Sequence, residues 1–245
     1  MSFYLIGLGL NEKSLTLEAL EAIKKSKKVY LEKYTVDFPY KKSFLEKALK
    51  KNVVELPREK IESEKFLNCA KKHDIALLVY GDALSATTHS ELILYCRKNN
   101  IHFKIFHNAS ILTAVAETGL QMYKFGKTAS IPAWKENWEP NSFAKIIKNN
   151  LSVDAHTLIL ADIGLNIKNA KEQLKKSLEN EGVKIKKIVL CSNIGTEKAE
   201  IIYAPIKELP DNISLPYCFI IPGKLHFIEE EFLSKLAVQH KNNSD

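Results

Sequence analysis

Short apolar runs alternate with amphipathic stretches over the first hundred residues. "FYLIGLGL" (3–10), "KVYLEKY" (28–34), "NVVELP" (52–57), "IALLVY" (75–80) and "HFKIFH" (102–107) have the length and composition of strands. Between them, "SLTLEALEAIKKS" (14–26), "KKSFLEKALKK" (41–51), "EKIESEKFLNCAKK" (59–72) and "THSELILYCRKN" (88–99) place apolar residues at helical spacing. A βαβα series of this kind predicts a mostly parallel sheet with helices on both faces, linked by right-handed crossovers.

The rhythm changes near residues 111–120. "KTASIP" (127–132), "HTLILAD" (156–162), "KKIVLCSN" (186–193), "AEIIYAPI" (199–206) and "PYCFIIPG" (216–223) read as strands, and only "NSFAKIIKNN" (141–150), "NIKNAKEQLKKSLENEG" (166–182) and "LHFIEEEFLSKLAVQ" (225–239) as helices. The two closely spaced strands within 186–206 predict an antiparallel pair and a mixed sheet. The expected fold class is α/β: an N-terminal α/β domain with a mostly parallel sheet over 1–112, and a C-terminal α/β domain with a mixed sheet over 113–245. The tail "KNNSD" is expected to fray.

Composition narrows the function classes. With 245 residues, 45% of them hydrophobic, the chain can fill one large core or two of ordinary size. No apolar stretch reaches the roughly 20 residues that span a bilayer, and the N-terminus lacks the pattern of a signal peptide, so no membrane association is expected. Cys69, Cys96, Cys191 and Cys218 are scattered, without a C-x-x-C pair. They read as reduced thiols of a cytoplasmic protein rather than as a metal site or disulfide frame. The net charge is +7, yet all but two of the 36 basic residues are lysines. Base readout and bidentate phosphate contacts favour arginine. The lysines fit a solvated surface that can attract an acidic protein, and no nucleic-acid partner is required.

The candidate chemistry lies in loops at the ends of predicted strands: "GLGL" (7–10), "GDALSATTH" (81–89), "NASI" (108–111), "ADIG" (161–164), "CSNIG" (191–195) and "PGKLH" (222–226). Ligands of open α/β sheets lie outside the carboxyl ends of strands. Three loops come from each half, which predicts a pocket in a cleft between the two domains. "GLGL" does not complete a dinucleotide fingerprint, because Glu12 stands where a third glycine is needed. Gly7 and Gly9 fit a tight turn instead. Asp82 can serve a ligand or cap its own loop, and Thr88 with Glu91 has capping-box spacing. The histidines lack metal-ligand spacing, so no metal is expected, and no G-x-S-x-G nucleophile elbow is present. Small residues, hydroxyls and one carboxylate suit a polar, unphosphorylated nucleoside. That chemistry fits a sulfonium nucleoside and leaves other nucleosides open.

"YLIGLGL", "GDALSATTHSEL", "HNASI", "TGLQMYKFGKTASI", "NWEPNSF", "HTLILADI" and "PGKLHFIE" together resemble the diphthine synthases, a branch of the tetrapyrrole-methylase-like superfamily. The motifs occur in the family's order from residue 4 to about 229. The resemblance implies an S-adenosyl-L-methionine-dependent methyltransferase. Its substrate would be translation elongation factor 2, methylated on the amino group of an amino-carboxypropyl-modified histidine in diphthamide biosynthesis. It also implies a homodimer. Matched motif by motif, the cofactor contacts fall on Leu10, Asp82, Ser85, Ser110, Ile111, Ala161, Ile194 and His226. Departures from the family pattern lie at Ala83, where proline is usual, at Ala161, and in the 191–195 segment. Methyl transfer to an amine is an in-line displacement that depends mainly on positioning. The sequence assigns no catalytic residue, and Asp82 is the leading acid for stabilising the cationic donor. Competing readings are a relative acting on a tetrapyrrole or ribosomal RNA, a cofactor-binding scaffold, and a nucleic-acid-binding module.

Overall fold

A computed structural model describes the backbone of residues 1–242 and the side chains of residues 1–236. The end of the tail expected to fray, 243–245, lies outside the described residues. The chain divides into two compact units, Met1–Leu112 and Thr113–Asp245.

The first unit is built on five strands: β1 (Ser2–Gly7), β2 (Lys28–Glu32), β3 (Val53–Leu56), β4 (Ile75–Val79) and β5 (His102–Phe106). They form an all-parallel sheet in the order β3-β2-β4-β1-β5. β4, whose five residues are all buried, sits at its centre, as a continuous apolar run should. The period-two alternation of the strands separates two cores. Phe3 and Leu5 of β1 and Ile75, Leu77 and Val79 of β4 face one side, under α3 (Arg58–Glu62) and α4 (Ser90–Lys98). Ile6, Ala76 and Leu78 face the other, under α1 (Leu17–Lys25) and α2 (Lys42–Leu49). The helix expected over 59–72 is broken. Glu64 takes a left-handed conformation, φ 56°, and a 3-10 segment, Lys65–Lys71, follows. Thr88 does not cap α4: that helix begins at Ser90, and the Thr87 hydroxyl bonds back to the Ala83 carbonyl instead.

This topology places a site. The connections leaving β1 and β4, which are neighbours, run to opposite faces of the sheet. In such folds a change of face between neighbouring strands marks the edge, at their carboxyl ends, where ligands are held.

A single turn, α5 (Ile111–Ala114), precedes the second unit's mixed sheet. Its strands are β6 (Ala129–Ile131), β7 (Thr157–Ala161), β8 (Ile188–Ser192), β9 (Glu200–Ala204) and β10 (Tyr217–Ile221), in the order β6-β7-β10-β8-β9. Only β6 and β7 run parallel. α6 (Ser142–Ser152) and α7 (Ile167–Asn180) cover one face through Phe143, Ile147, Leu174 and Leu178, which pack on Ile159, Leu190 and Phe219. α8 (Phe227–Asn242) packs along β9. All four cysteines are free thiols. Among the described residues, no helix is long and apolar enough to cross a membrane.

Candidate functional site

Three loops of the first unit are knitted together at the carboxyl edge of its sheet. Gly9 and Gly81 exchange two backbone hydrogen bonds, of 3.0 and 2.9 Å. Both have positive φ, 72° and 69°, a conformation open to glycine at little cost. Gly7 and Gly9 leave no room for a side chain. A Cβ on Gly7 would stand 2.7 Å from the Gly81 carbonyl oxygen, and one on Gly9 would stand 2.4 Å from the Ser14 Cβ. They are turn and close-packing residues. Leu10 is buried, and its carbonyl accepts from the Tyr80 hydroxyl at 2.9 Å.

Asp82 is the knot. It is 7% exposed, and both carboxylate oxygens are engaged within the protein. Oδ1 accepts from the Leu84 N–H at 3.0 Å and the Ser85 hydroxyl at 3.3 Å. Oδ2 accepts from the Asn108 N–H at 3.1 Å and lies 2.8 Å from Nδ1 of His107. Burial alone would raise the pKa of this carboxyl. The donors from Leu84, His107 and Asn108 outweigh it and hold the group below its ordinary value. The Asn108 amide adds bonds to the Gly7 and Ser14 carbonyls, tying the loop after β5 to the loop after β1. Ser110 is buried beside Gly81, and Ser85 and Ile111 are half-buried at the rim. The structure thus brings Leu10, Asp82, Ser85, Ser110 and Ile111 to one edge. It gives the Asp82 carboxylate an internal role as the pin between the loops after β4 and β5.

The donor set decides which ligand these loops suit. "GLGL", "GDALSATTH" and "HNASI" contain no lysine or arginine. They offer backbone groups, hydroxyls and one ionised carboxylate. A phosphate would find no counter-charge in these loops, whereas a cationic nucleoside meets the field of an ionised carboxylate.

In the second unit the antiparallel pairing separates the candidates. Ala161 ends β7 and Ile194 follows β8, and these two strands finish at the same edge, beside the start of β10. Cys218 there lies opposite both Leu160 and Cys191. The loop that carries His226 leaves β10 at the other edge, where Ile221 lies opposite Thr157. Carboxyl ends share one edge only in a parallel sheet, so the second unit's loops do not gather as those of the first unit do. Ile194 is buried, Ala161 half-buried and His226 exposed.

Around His226 the structure shows a buried ionic network that the sequence reading missed. Glu229 is fully buried. It accepts from the backbone N–H of Gln121 at 2.9 Å and of His226 at 2.7 Å, and it pairs with Lys124. His156, also fully buried, accepts at Nδ1 from the Gly223 N–H at 2.8 Å and so donates from Nε2 to Glu229 at 3.0 Å. Burial lowers the His156 pKa, and the Glu229 contact offsets part of that. Glu229 stands three residues beyond His226, at the N-terminus of α8, in the reach-back position of a capping box. That spacing was visible in "HFIE". The partners Lys124 and His156 come from distant segments. Lys124 is committed to Glu229 and to the Lys224 carbonyl.

The chain matches the model of the Tetrapyrrole (Corrin/Porphyrin) Methylases over residues 2–210. It is 35% identical to the diphthine methyl ester synthase of Schizosaccharomyces pombe over 98% of this chain and 96% of that protein. It is 39% identical to the diphthine synthase of Methanocaldococcus jannaschii over 95% of this chain and 98% of that one. A crystal structure of a diphthine synthase superposes with a TM-score of 0.88 at 32% identity, covering 97% of this chain and 96% of the other. With likeness of this extent in sequence and in fold, the chain belongs to the tetrapyrrole (corrin/porphyrin) methylase family, in its diphthine synthase branch.

Proposed function

We propose that this chain is an S-adenosyl-L-methionine-dependent methyltransferase of diphthamide biosynthesis. Its acceptor is the amino group of the amino-carboxypropyl-modified histidine of translation elongation factor 2. The near-full-length likeness to diphthine synthases of eukaryotes and an archaeon carries this reading. The basic-residue-free loops at the carboxyl edge of the first unit's sheet support it, because they suit a sulfonium nucleoside. Leu10, Asp82, Ser85, Ser110 and Ile111, gathered at that edge, are the first unit's cofactor-binding residues. In this set Asp82 acts by fixing the loops and by setting a negative potential. The bound cofactor supplies an activated methyl group, and the chain orients the acceptor towards it.

The relatives' names differ in one respect. "Diphthine methyl ester synthase" names an ester, and therefore an oxygen acceptor. Mass spectrometry of modified elongation factor 2 after incubation with labelled cofactor tests the reading and counts the methyl groups. Label that resists mild alkali is on nitrogen, and label released by it is on a carboxylate. Transfer to a tetrapyrrole precursor or ribosomal RNA, with none to the factor, would overturn the assignment.

The protein works in the cytoplasm as a homodimer. Support for the dimer comes from apolar side chains left exposed at the start of α8 and beside it: Tyr123, Phe227, Ile228 and Phe232, between 42 and 82% exposed. The 111–120 segment offers less, since Val115 and Leu120 are buried.

A further inference from the structure

An aliphatic amine is protonated near neutral pH, and only its free lone pair can attack a methyl group. A methyltransferase acting on an amine therefore needs a route for one proton per transfer. At the carboxyl edge of the first unit's sheet stands a histidine that the cofactor-binding set does not include. His107 directly follows β5 and lies one residue before Asn108, whose loop carries Ser110 and Ile111. Its side chain is 68% exposed, while its partner Asp82 is buried. Both Asp82 oxygens already accept from backbone N–H groups, so the carboxylate is ionised and acts as an acceptor towards Nδ1 at 2.8 Å. The proton of the neutral ring is then held on Nδ1. Nε2 keeps its lone pair and makes no hydrogen bond within the described residues, on a side chain that is largely exposed. A buried carboxylate that orients a largely exposed imidazole at the carboxyl end of a strand is the arrangement of a general base. Asp82 is the charged group bonded to this ring. A buried histidine of this unit, His89, turns its Nδ1 to the Ala83 carbonyl and is 1% exposed, so it cannot meet an incoming side chain.

We propose that His107, oriented by Asp82, is the general base that takes the proton from the acceptor ammonium, directly or through one water. This rests on the methyltransferase reading above. The ammonium N–H proton passes to Nε2 of His107, leaving a neutral amine and an imidazolium. The amine lone pair forms the new N–C bond as the S–C bond breaks, with that electron pair going to sulfur. The imidazolium then returns its proton to solvent before the next transfer.

The test uses the full-length protein and two variants. His107→Gln retains an N–H donor for Asp82 but cannot act as a base, and His107→Ala opens a space that free imidazole can enter. Single-turnover transfer of labelled methyl to modified elongation factor 2 should fall about 100-fold in both variants, with the cofactor affinity of His107→Gln, which keeps the donor to Asp82, within twofold of wild type by calorimetry. Added imidazole should restore the rate of His107→Ala and leave His107→Gln slow. Independently of turnover, nitrogen NMR of the cofactor-free protein should show the His107 ring protonated on Nδ1, with that preference lost in Asp82→Asn. Transfer within threefold of wild type in His107→Gln would overturn the proposal. So would a loss in His107→Ala that imidazole does not relieve, or an Nε2-protonated ring in the wild type. Failure of the wild-type protein itself to methylate the factor would instead overturn the functional reading.

Discussion

Glu229→Gln removes one charge from the second unit without changing side-chain shape, and the structure sets the size of the effect. Burial by itself would raise the pKa of this carboxyl. Donors from Gln121, His226, Lys124 and His156 more than offset it and hold the pKa at about 2, against an ordinary 4.5. That displacement, at about 1.4 kcal/mol per pKa unit, is worth about 3 kcal/mol of folding stability at neutral pH. The figure agrees with the roughly 3–5 kcal/mol lost when one partner of a buried ion pair is removed. The sign follows from the direction of the shift. Because the folded-state pKa is depressed, the contribution is fully present above about pH 5 and is lost as pH falls towards 2. Both tryptophans, Trp134 and Trp138, lie in the second unit, so their fluorescence follows this unit's unfolding. Urea titration at pH 7 should show Glu229→Gln destabilised by about 3 kcal/mol, and its thermal midpoint lowered by about 10 °C. The gap between variant and wild type should narrow steadily below pH 5. Lys124→Met in the same background should add less than its effect in the wild type, since the pair is already broken. A loss under about 1 kcal/mol at pH 7, or a gap unchanged between pH 7 and pH 3, would refute the assignment of this energy to the buried carboxylate.

Gly9→Ala places a Cβ 2.4 Å from Ser14 at φ 72°; it should abolish measurable cofactor binding by calorimetry, and affinity within twofold of wild type would contradict the close-packed loop. Asp82→Asn exchanges one acceptor for an N–H facing donors from Leu84, His107 or Asn108, a loss of about 2–3 kcal/mol in local stability. Hydrogen exchange at 81–85 and 107–111 should accelerate, and unchanged protection in those loops would show that Asp82 is not their pin. Sedimentation at micromolar concentration should give a dimer that Phe227→Asp and Ile228→Asp shift to monomer, and an unaltered dimer would move the interface away from the start of α8.

The α/β class, the order of the elements and their parallel or mixed pairing follow from local patterns in the chain. "IALLVY" is apolar throughout because β4 is covered on both faces, and "SLTLEALEAIKKS" keeps the spacing of a helix covered on one. Strand length and period are local properties, so they survive in the sequence. The gathering of Leu10, Asp82, Ser85, Ser110 and Ile111 could also be expected, because a parallel sheet puts all its carboxyl ends at one edge. What Asp82 does there was not legible. Its partners His107 and Asn108 stand 25 and 26 residues away, and only the adjacency of β4, β1 and β5 brings them within 3.1 Å. The break of the 59–72 helix at Glu64 and the absence of a Thr88 cap were likewise not legible in local propensity. In the second unit the edge assignments of Ala161, Ile194 and His226 depend on strand direction, and the Glu229–Lys124–His156 network joins residues 73 and 105 positions apart. A buried charge is tolerated only where the fold supplies counter-charge and donors from remote segments, so its place is set by the tertiary structure alone.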